Sequence, residues 1–158
     1  MINFDEKGHL YPYEILETTL TEFETVFVQQ MEDQAHRKRI FDGYLQFIDN
    51  LKTALNIPFF QWINGSFTTQ KQFPGDIDVC TFIDYDHFVR NLPLIEHFHA
   101  ISKSQYFTDA HFASTCKWNH RFYNRAVSDE QYWKNVFGFS RPDENMVRHP
   151  KGILKIKF

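Results

Sequence analysis

The sequence predicts a single α/β (α+β) domain in which helices pack against a β-sheet. The chain has 158 residues, a length that fits one domain and buries about 70% of the surface that the unfolded chain exposes. Hydrophobic residues make up 42% of the chain and include 18 phenylalanines, which argues against disorder. Segments of helical and strand-like periodicity alternate along the sequence.

The first third of the chain predicts an arm, two helices and a strand. Residues 1–16 have no clear period, so we expect an extended arm on the surface. Thr21 and Glu24 match a capping box, which predicts a short first helix. Apolar residues recur at three- and four-residue steps over 34–55, which predicts a longer second helix. The aromatic and β-branched run at 59–64 is typical of a buried strand.

The middle of the chain predicts two further strands around a helical region. At the start of residues 76–84, Asp76 and Asp78 alternate with Ile77 and Val79, which predicts a second strand that ends near Asp84. Residues 86–103 have helical character, and Pro93 is expected to begin a second helical piece. A third strand is predicted at 104–114.

The last third predicts a short helix and a terminal strand. Ser128 and Gln131 match a second capping box, and Gly138 is expected to close the helix that follows. Residues 152–158 alternate lysine with apolar side chains, which predicts a half-exposed edge strand.

Composition limits the classes of function and location. The net charge is -3 with a pI near 6.2, which argues against a global electrostatic grip on nucleic acid. Cys80 and Cys116 are expected to be reduced thiols. No apolar run reaches the ~20 residues of a membrane span, and the first residues are too acidic for a signal peptide. We therefore expect a cytoplasmic protein without membrane contact.

The segment from Gly65 to Asp78 is the most informative for chemistry. Alternation on a strand places the carboxylates of Asp76 and Asp78 on one face, where they repel each other. A hard cation such as Mg²⁺, or Mn²⁺, relieves this repulsion and takes oxygen ligands. Gly65 permits a sharp turn close to a phosphate, and Ser66 offers a hydroxyl and an N–H at an expected helix N-terminus. The pattern indicates a phosphate-binding turn beside a metal site.

This segment resembles the signature of the nucleotidyltransferase superfamily. That signature is a hydrophobic residue, a Gly-Gly or Gly-Ser pair, a spacer of about nine to thirteen residues, and two acids that alternate with hydrophobic residues. Ile63, Gly65, Ser66 and the run from Asp76 to Val79 match it, with nine residues between Ser66 and Asp76. Much of the chain, including INGSFTTQKQFPGDIDVCTFID, YWKNVFGFSR and PKGILKI, is similar to an uncharacterised bacterial family of nucleotidyltransferase-like domains.

The resemblance implies a fold and an activity. It implies a mixed β-sheet flanked by helices, and transfer of a nucleoside monophosphate from an NTP to an unknown hydroxyl acceptor. Asp76 and Asp78 would bind the metal, and Asp109 would be the third ligand and a possible base. Lys71 would contact phosphate in place of the arginine that many members carry after Gly-Ser. The acceptor would be a small molecule, a protein or a tRNA end.

Two other functional interpretations stay open. The chain could be a weakly active or inactive nucleotidyltransferase-like binding module or regulator with a protein partner, such as a toxin–antitoxin or phage-defence component. Alternatively, its acids could be structural in an ordinary α/β domain.

Several other polar residues are interpreted as structural at this stage. His111 shares the strand face of Asp109 but is expected to be packed or solvent-facing. The basic cluster at 37–39 is expected to be the solvated start of the second helix. The basic residues near the end of the chain could line a route for phosphate or an acceptor, but we expect them to discourage edge-to-edge aggregation; they are Arg148, Lys151, Lys155 and Lys157.

Overall fold

A five-stranded mixed sheet forms the centre of the protein, for which a computed structural model describes residues 2–158. A small hairpin of β1 (Asn3–Phe4) and β2 (Leu10–Tyr11) precedes this sheet. The sheet strands are β3 (Ile15–Glu17), β4 (Phe60–Asn64), β5 (Ile77–Asp84), β6 (Thr108–Thr115) and β7 (Ile153–Lys157). Their spatial order is β3-β7-β4-β5-β6. The pairs β3–β7 and β5–β6 are parallel, whereas β4 is antiparallel to both of its neighbours.

Helices cover both faces of the sheet. They are α1 (Leu20–Glu24), which continues into a π-helical turn at Thr25–Gln29, α2 (Gln34–Leu55), α3 (Tyr85–Arg90), α4 (Leu92–Tyr106) and α5 (Tyr123–Phe137). The larger core cluster joins α2 and α4 to one face through residues such as Ile77 and Val79. A second cluster joins Phe137 of α5 to Cys80 and Phe82 on the other face. The predicted α/β fold of helices around a mixed sheet is therefore confirmed.

The alternation of β5 decides on which face the acidic residues lie. Ile77 and Val79 enter the larger core, so Asp78 shares the opposite face with Cys80. That face is the one covered by α5. Asp78 and its neighbours therefore open toward α5 and the segment that follows it.

Several predicted elements are confirmed, and some of their ends differ. The second helix runs over 34–55 as predicted, and Asn56 ends it in the left-handed conformation with φ 49°. The N-cap of the first helix lies two residues earlier than expected. Thr19 is its N-cap and accepts a hydrogen bond from the N–H of Glu22 at 3.2 Å, so Thr21 lies inside the helix.

The helical region after β5 is divided as predicted, but it is longer. It forms α3 and α4, and Pro93 is the second residue of α4. Because α4 continues to Tyr106 and Phe107 turns the chain at φ 52°, β6 begins at Thr108 rather than at residue 104.

The last helix and the last strand differ from the predictions. Ser128 is not a cap: it lies within α5, and its hydroxyl donates to the carbonyl of Asn124 at 3.0 Å. Gly138 ends the helix as predicted. The terminal strand β7 is not an edge strand, since it lies between β3 and β4.

The N-terminal arm is more integrated than an extended surface segment. Leu10 is 0% exposed, and its carbonyl accepts a hydrogen bond from the N–H of Gly152 at 2.7 Å. Further along, β3 adds an edge strand beside β7. No helix within residues 2–158 combines the length and the apolar character that crossing a membrane requires.

Candidate functional site

A cleft of about 1260 Å³ lies where the N-terminal hairpin, the turn after β4 and the segment after α5 meet. Its acidic side chains are Glu6, Asp76 and Asp78, and its basic side chains are Lys7, Lys71, Arg141, Arg148 and Lys151. Gly65 and Ser66 also line it, so the structure brings most of the predicted site residues into one cavity. The cleft can accept a ligand that carries both a cation and several negative charges.

Glycine is required at position 65 by the conformation of the backbone and by the neighbouring side chain of Asp78. Its φ is +88°, a region that side chains rarely adopt. A Cβ at this position would lie 1.7 Å from Oδ2 of Asp78. The carboxylate of Asp78 therefore lies directly against the backbone of the turn.

Asp109 lies beside Asp78 on the next strand. The two residues are register partners in the parallel pair β5–β6, so their side chains share a face. Nζ of Lys103 bridges the acids, 2.8 Å from Oδ2 of Asp76 and 3.2 Å from Oδ2 of Asp109. Nε2 of His111 lies 3.4 Å from Oδ1 of Asp109. The three predicted carboxylates thus occupy one corner of the sheet, and a lysine joins two of them.

The charged groups in this corner shift the pKa values of Asp78 and Lys103. Burial raises the pKa of Asp78 to about 6, and the nearby carboxylates of Asp76 and Asp109 add to this effect, whereas Lys151 and Lys103 oppose it. Hydrogen bonds from Lys103 to Asp76 and Asp109 raise the pKa of that lysine. Negative charge is crowded here, so a bound cation would be stabilised.

The carboxylate oxygens of this site are ligands of the type that a hard cation prefers. Within residues 2–158, no three or more His, Cys, Asp or Glu side chains come close enough together to hold a metal ion by themselves. Mg²⁺ does not require such a cluster, because it commonly binds one or two carboxylates together with water and substrate phosphates. Asp76 and Asp78, which both line the cleft, offer oxygen ligands of that kind.

The turn after β4 differs from the prediction at Ser66. Residues 65–76 contain no helix, so Ser66 does not lie at a helix N-terminus. Its carbonyl accepts hydrogen bonds from the N–H and the hydroxyl of Thr69, at 3.2 and 2.7 Å. Any anion bound at this turn would therefore meet local N–H groups and side chains without the dipole of a helix.

Comparison with protein-family models identifies the family of the chain. A family model matches residues 2–157, all but the first and last positions of the sequence. The chain belongs to DUF6932. This is a family of unknown function. No curated protein and no solved structure matches the chain.

Arg37 is a residue of this DUF6932 chain whose role the sequence did not indicate. It is 0% exposed, so the expected solvated cluster at 37–39 is wrong at this residue, whereas Lys38 and Arg39 are exposed. Its guanidinium pairs with Asp33 at 2.8 Å and donates to the carbonyls of Phe67, Thr69 and Lys71. These contacts hold the turn that lines the cleft. An acid four residues before a basic residue on a helix was the only local signal.

Lys151 lies beside the Gly65 turn, although the sequence favoured protection of an edge strand over contact with phosphate as its role. It is only 7% exposed, and its Nζ donates to the carbonyl of Gly65 at 3.1 Å. The interpretation as protection of an edge strand is wrong for the strand lysines as well, since Lys155 and Lys157 lie on an internal strand and pair with Glu17. Lys71, by contrast, lines the cleft as an exposed side chain.

Proposed function

We propose that this DUF6932 chain is a metal-dependent nucleotidyltransferase that moves a nucleoside monophosphate from an NTP to a hydroxyl group. The main support is the meeting of the Gly65–Ser66 turn with the carboxylates of Asp76 and Asp78 in one cleft. The likeness of this motif to the superfamily signature points to the same chemistry. The position of Asp109 beside Asp78 agrees with a third acid on a neighbouring strand.

The reaction can be written from these groups. The acceptor oxygen attacks the α-phosphorus of the NTP, and a new P–O bond forms. The bond from that phosphorus to the bridging oxygen breaks, and pyrophosphate leaves with the electron pair. The proton of the acceptor hydroxyl passes to a carboxylate, for which Asp109 is the candidate, or to water. Catalysis of this type depends mostly on positioning and charge stabilisation.

A metal ion would be held by Asp76 and Asp78. When bound, Mg²⁺ would neutralise charge on the phosphate oxygens and favour ionisation of the attacking hydroxyl. The ammonium of Lys103 bridges Asp76 and Asp109. Recruitment of Asp109 as a third ligand would require Lys103 to move away from it.

The opposite charges of the cleft agree with an NTP as the donor. Five basic side chains line the cleft together with three acids, so a triphosphate and its cation would each meet opposite charge there. The acceptor is a small molecule, a protein or a tRNA end in this proposal. A cytoplasmic location is also part of it and agrees with the free thiols of Cys80 and Cys116.

Pyrophosphate release tests the proposed reaction. Purified protein is incubated with each NTP and Mg²⁺ or Mn²⁺, and the double variant Asp76→Asn plus Asp78→Asn is assayed beside it. We expect release by the wild type and a loss of at least 100-fold in the variant. Asp49→Asn, an exposed acid on α2, is the matched control and should keep full activity. Release that survives in the double variant would contradict the proposal.

Binding provides a readout that needs no acceptor. Calorimetry with Mn²⁺ and a non-hydrolysable NTP should show that both ligands bind to the wild type and to Asp49→Asn. The double variant should not bind the metal. The absence of any heat from Mn²⁺ with the nucleotide on the wild type would count against a metal-dependent enzyme. Mass spectrometry of the protein after incubation with NTP would also detect transfer to a hydroxyl of the chain itself.

A further inference from the structure

We infer that Lys151, with Arg141 beside it, binds the polyphosphate chain of the nucleotide and the pyrophosphate that leaves. The inference rests on the proposed function for the identity of the nucleotide, but its chemistry is that of any linear polyphosphate. It assigns to a buried lysine the contact that the sequence suggested for Lys71.

The surroundings of Lys151 leave part of its ammonium group without a partner. The residue is 7% exposed and lines the cleft. An ammonium has three N–H donors, and within residues 2–158 its one hydrogen-bond acceptor is the carbonyl of Gly65 at 3.1 Å. No carboxylate of the described chain forms an ion pair with it. A buried charge in this condition is costly unless a ligand compensates it.

The position of Lys151 fits a polyphosphate that also contacts the metal site. Gly65 joins the two features, because its carbonyl accepts from Lys151 and its Cα lies against the carboxylate of Asp78. The ammonium is therefore adjacent to the acidic corner without forming an ion pair with it. A chain of phosphates could reach from a cation on Asp76 and Asp78 to this ammonium.

Arg141 adds a second positive charge on the same segment. It is exposed, it lines the cleft, and it is close enough to lower the pKa of Lys151. The segment is braced by Arg148, whose guanidinium donates to the carbonyls of Ser140 at 3.2 Å and Asn135 at 3.0 Å. Two like charges held near each other by a braced segment are unfavourable alone and favourable around a polyanion.

Protonation supports this assignment. Burial and Arg141 lower the pKa of Lys151 to about 8, whereas Asp78 opposes the shift. His9 of the hairpin also faces this charge. A phosphate beside the ammonium would favour its protonated form.

The test uses inorganic tripolyphosphate and pyrophosphate without metal. Calorimetric titration compares the wild type with Lys151→Met, which keeps the length of the side chain but removes its charge. We expect the affinity to fall at least tenfold. Lys155→Met, which removes a lysine of β7 paired with Glu17, is the matched control and should bind within twofold of the wild type. No binding by the wild type, or equal binding by Lys151→Met, would overturn the inference.

A second variant keeps the inference testable if Lys151→Met does not fold. Arg141→Met removes the neighbouring positive charge at an exposed position of the cleft and should lower the affinity for tripolyphosphate at least threefold. Equal binding by Arg141→Met and the wild type would overturn the inference.

The inference and the proposed function can fail separately. If polyphosphate binding depends on Lys151 but no NTP yields pyrophosphate, the inference stands and the enzyme assignment fails. If nucleotidyl transfer occurs and Lys151→Met changes neither polyphosphate affinity nor the KM for NTP, the assignment of Lys151 fails and the enzyme remains.

Discussion

Asp78 is an acidic residue in surroundings that disfavour its charge. Its carboxylate lies against the backbone of Gly65, and burial with two neighbouring acids raises its pKa to about 6. At neutral pH the group is nevertheless ionised, so the folded protein carries an unfavourable charge in the cleft. Sites that bind ligands commonly hold such groups at the expense of stability.

Replacement of Asp78 by Asn should therefore stabilise the fold at neutral pH. A rise of two pKa units corresponds to about 3 kcal/mol, which is the upper limit of the expected gain. Because the pKa is raised in the folded state, the favourable contribution of the wild-type carboxyl is present below about pH 4 and is lost as the pH rises through about 6. The difference between variant and wild type should grow over this window and then become constant.

Urea unfolding of the two proteins between pH 4 and pH 8 measures this difference. Asp49→Asn, at an exposed position on α2, is the control and should show no such trend. A stability difference for Asp78→Asn that is independent of pH would show that the neighbouring charges do not act on Asp78 as described.

At the scale of elements, α2 holds the turn between β4 and β5. This turn has no regular hydrogen-bond ladder, and Arg37 supplies donors to the carbonyls of Phe67, Thr69 and Lys71 at 2.7, 3.0 and 2.7 Å. Asp33 neutralises the guanidinium from the start of the same helix. The Gly65 turn and the side chain of Lys71 are thus positioned by a buried side chain of a helix.

The variant Arg37→Lys should destabilise the protein by about 3–5 kcal/mol, because a lysine cannot reproduce the fork of donors and leaves buried carbonyls unpaired. Arg39→Lys, at an exposed position two residues further on, should change stability by less than about 0.5 kcal/mol. Hydrogen exchange should also accelerate at residues 67–71 in Arg37→Lys. Equal stability of the two variants would contradict the role of Arg37 as the support of this turn.

The elements that the sequence predicted well have long, regular patterns. The stripe of α2 and the apolar run of β5 are buried continuously, so local periodicity is sufficient to locate them. The start of α5 was missed because a Ser-x-x-Gln pattern also occurs inside a helix, where Ser128 bonds to the preceding turn. The internal place of β7 depends on pairing with distant strands, which periodicity does not report.

The same distinction applies to the candidate site. Gly65, Asp76 and Asp78 were predictable because they are close together in the sequence. Lys151 meets Gly65 across a separation of 86 residues, and Arg37 meets Phe67 across 30. Apart from the spacing of Asp33 and Arg37, their types and positions carry no local mark of these contacts, so only the folded chain identifies them.

At the scale of the whole molecule, the two ends of the chain build one wall of the cleft together. The hairpin contributes residues 6–9 to the lining, and the carbonyl of Gly8 accepts a hydrogen bond from the N–H of Gln70 at 3.0 Å. On its other side, Leu10 packs on the segment that leads into β7, next to Lys151. The hairpin is therefore wedged between the turn after β4 and the last strand.

A substitution at Gly152 tests whether the N-terminal arm packs tightly against the last strand. A Cβ there would lie 2.5 Å from the carbonyl oxygen of Pro12 and 3.0 Å from Cγ of Leu10, so Gly152→Ala must displace backbone of the arm. We expect a loss of about 1–3 kcal/mol of stability in urea unfolding, as for other overpacked sites. Gly75→Ala is the control, since nothing lies within 4 Å of the added methyl group, and it should leave stability unchanged or raise it by about 0.4–1 kcal/mol. If Gly152→Ala were as stable as Gly75→Ala, the arm would yield easily at this contact, and the wall of the cleft would not be fixed by the meeting of the chain ends.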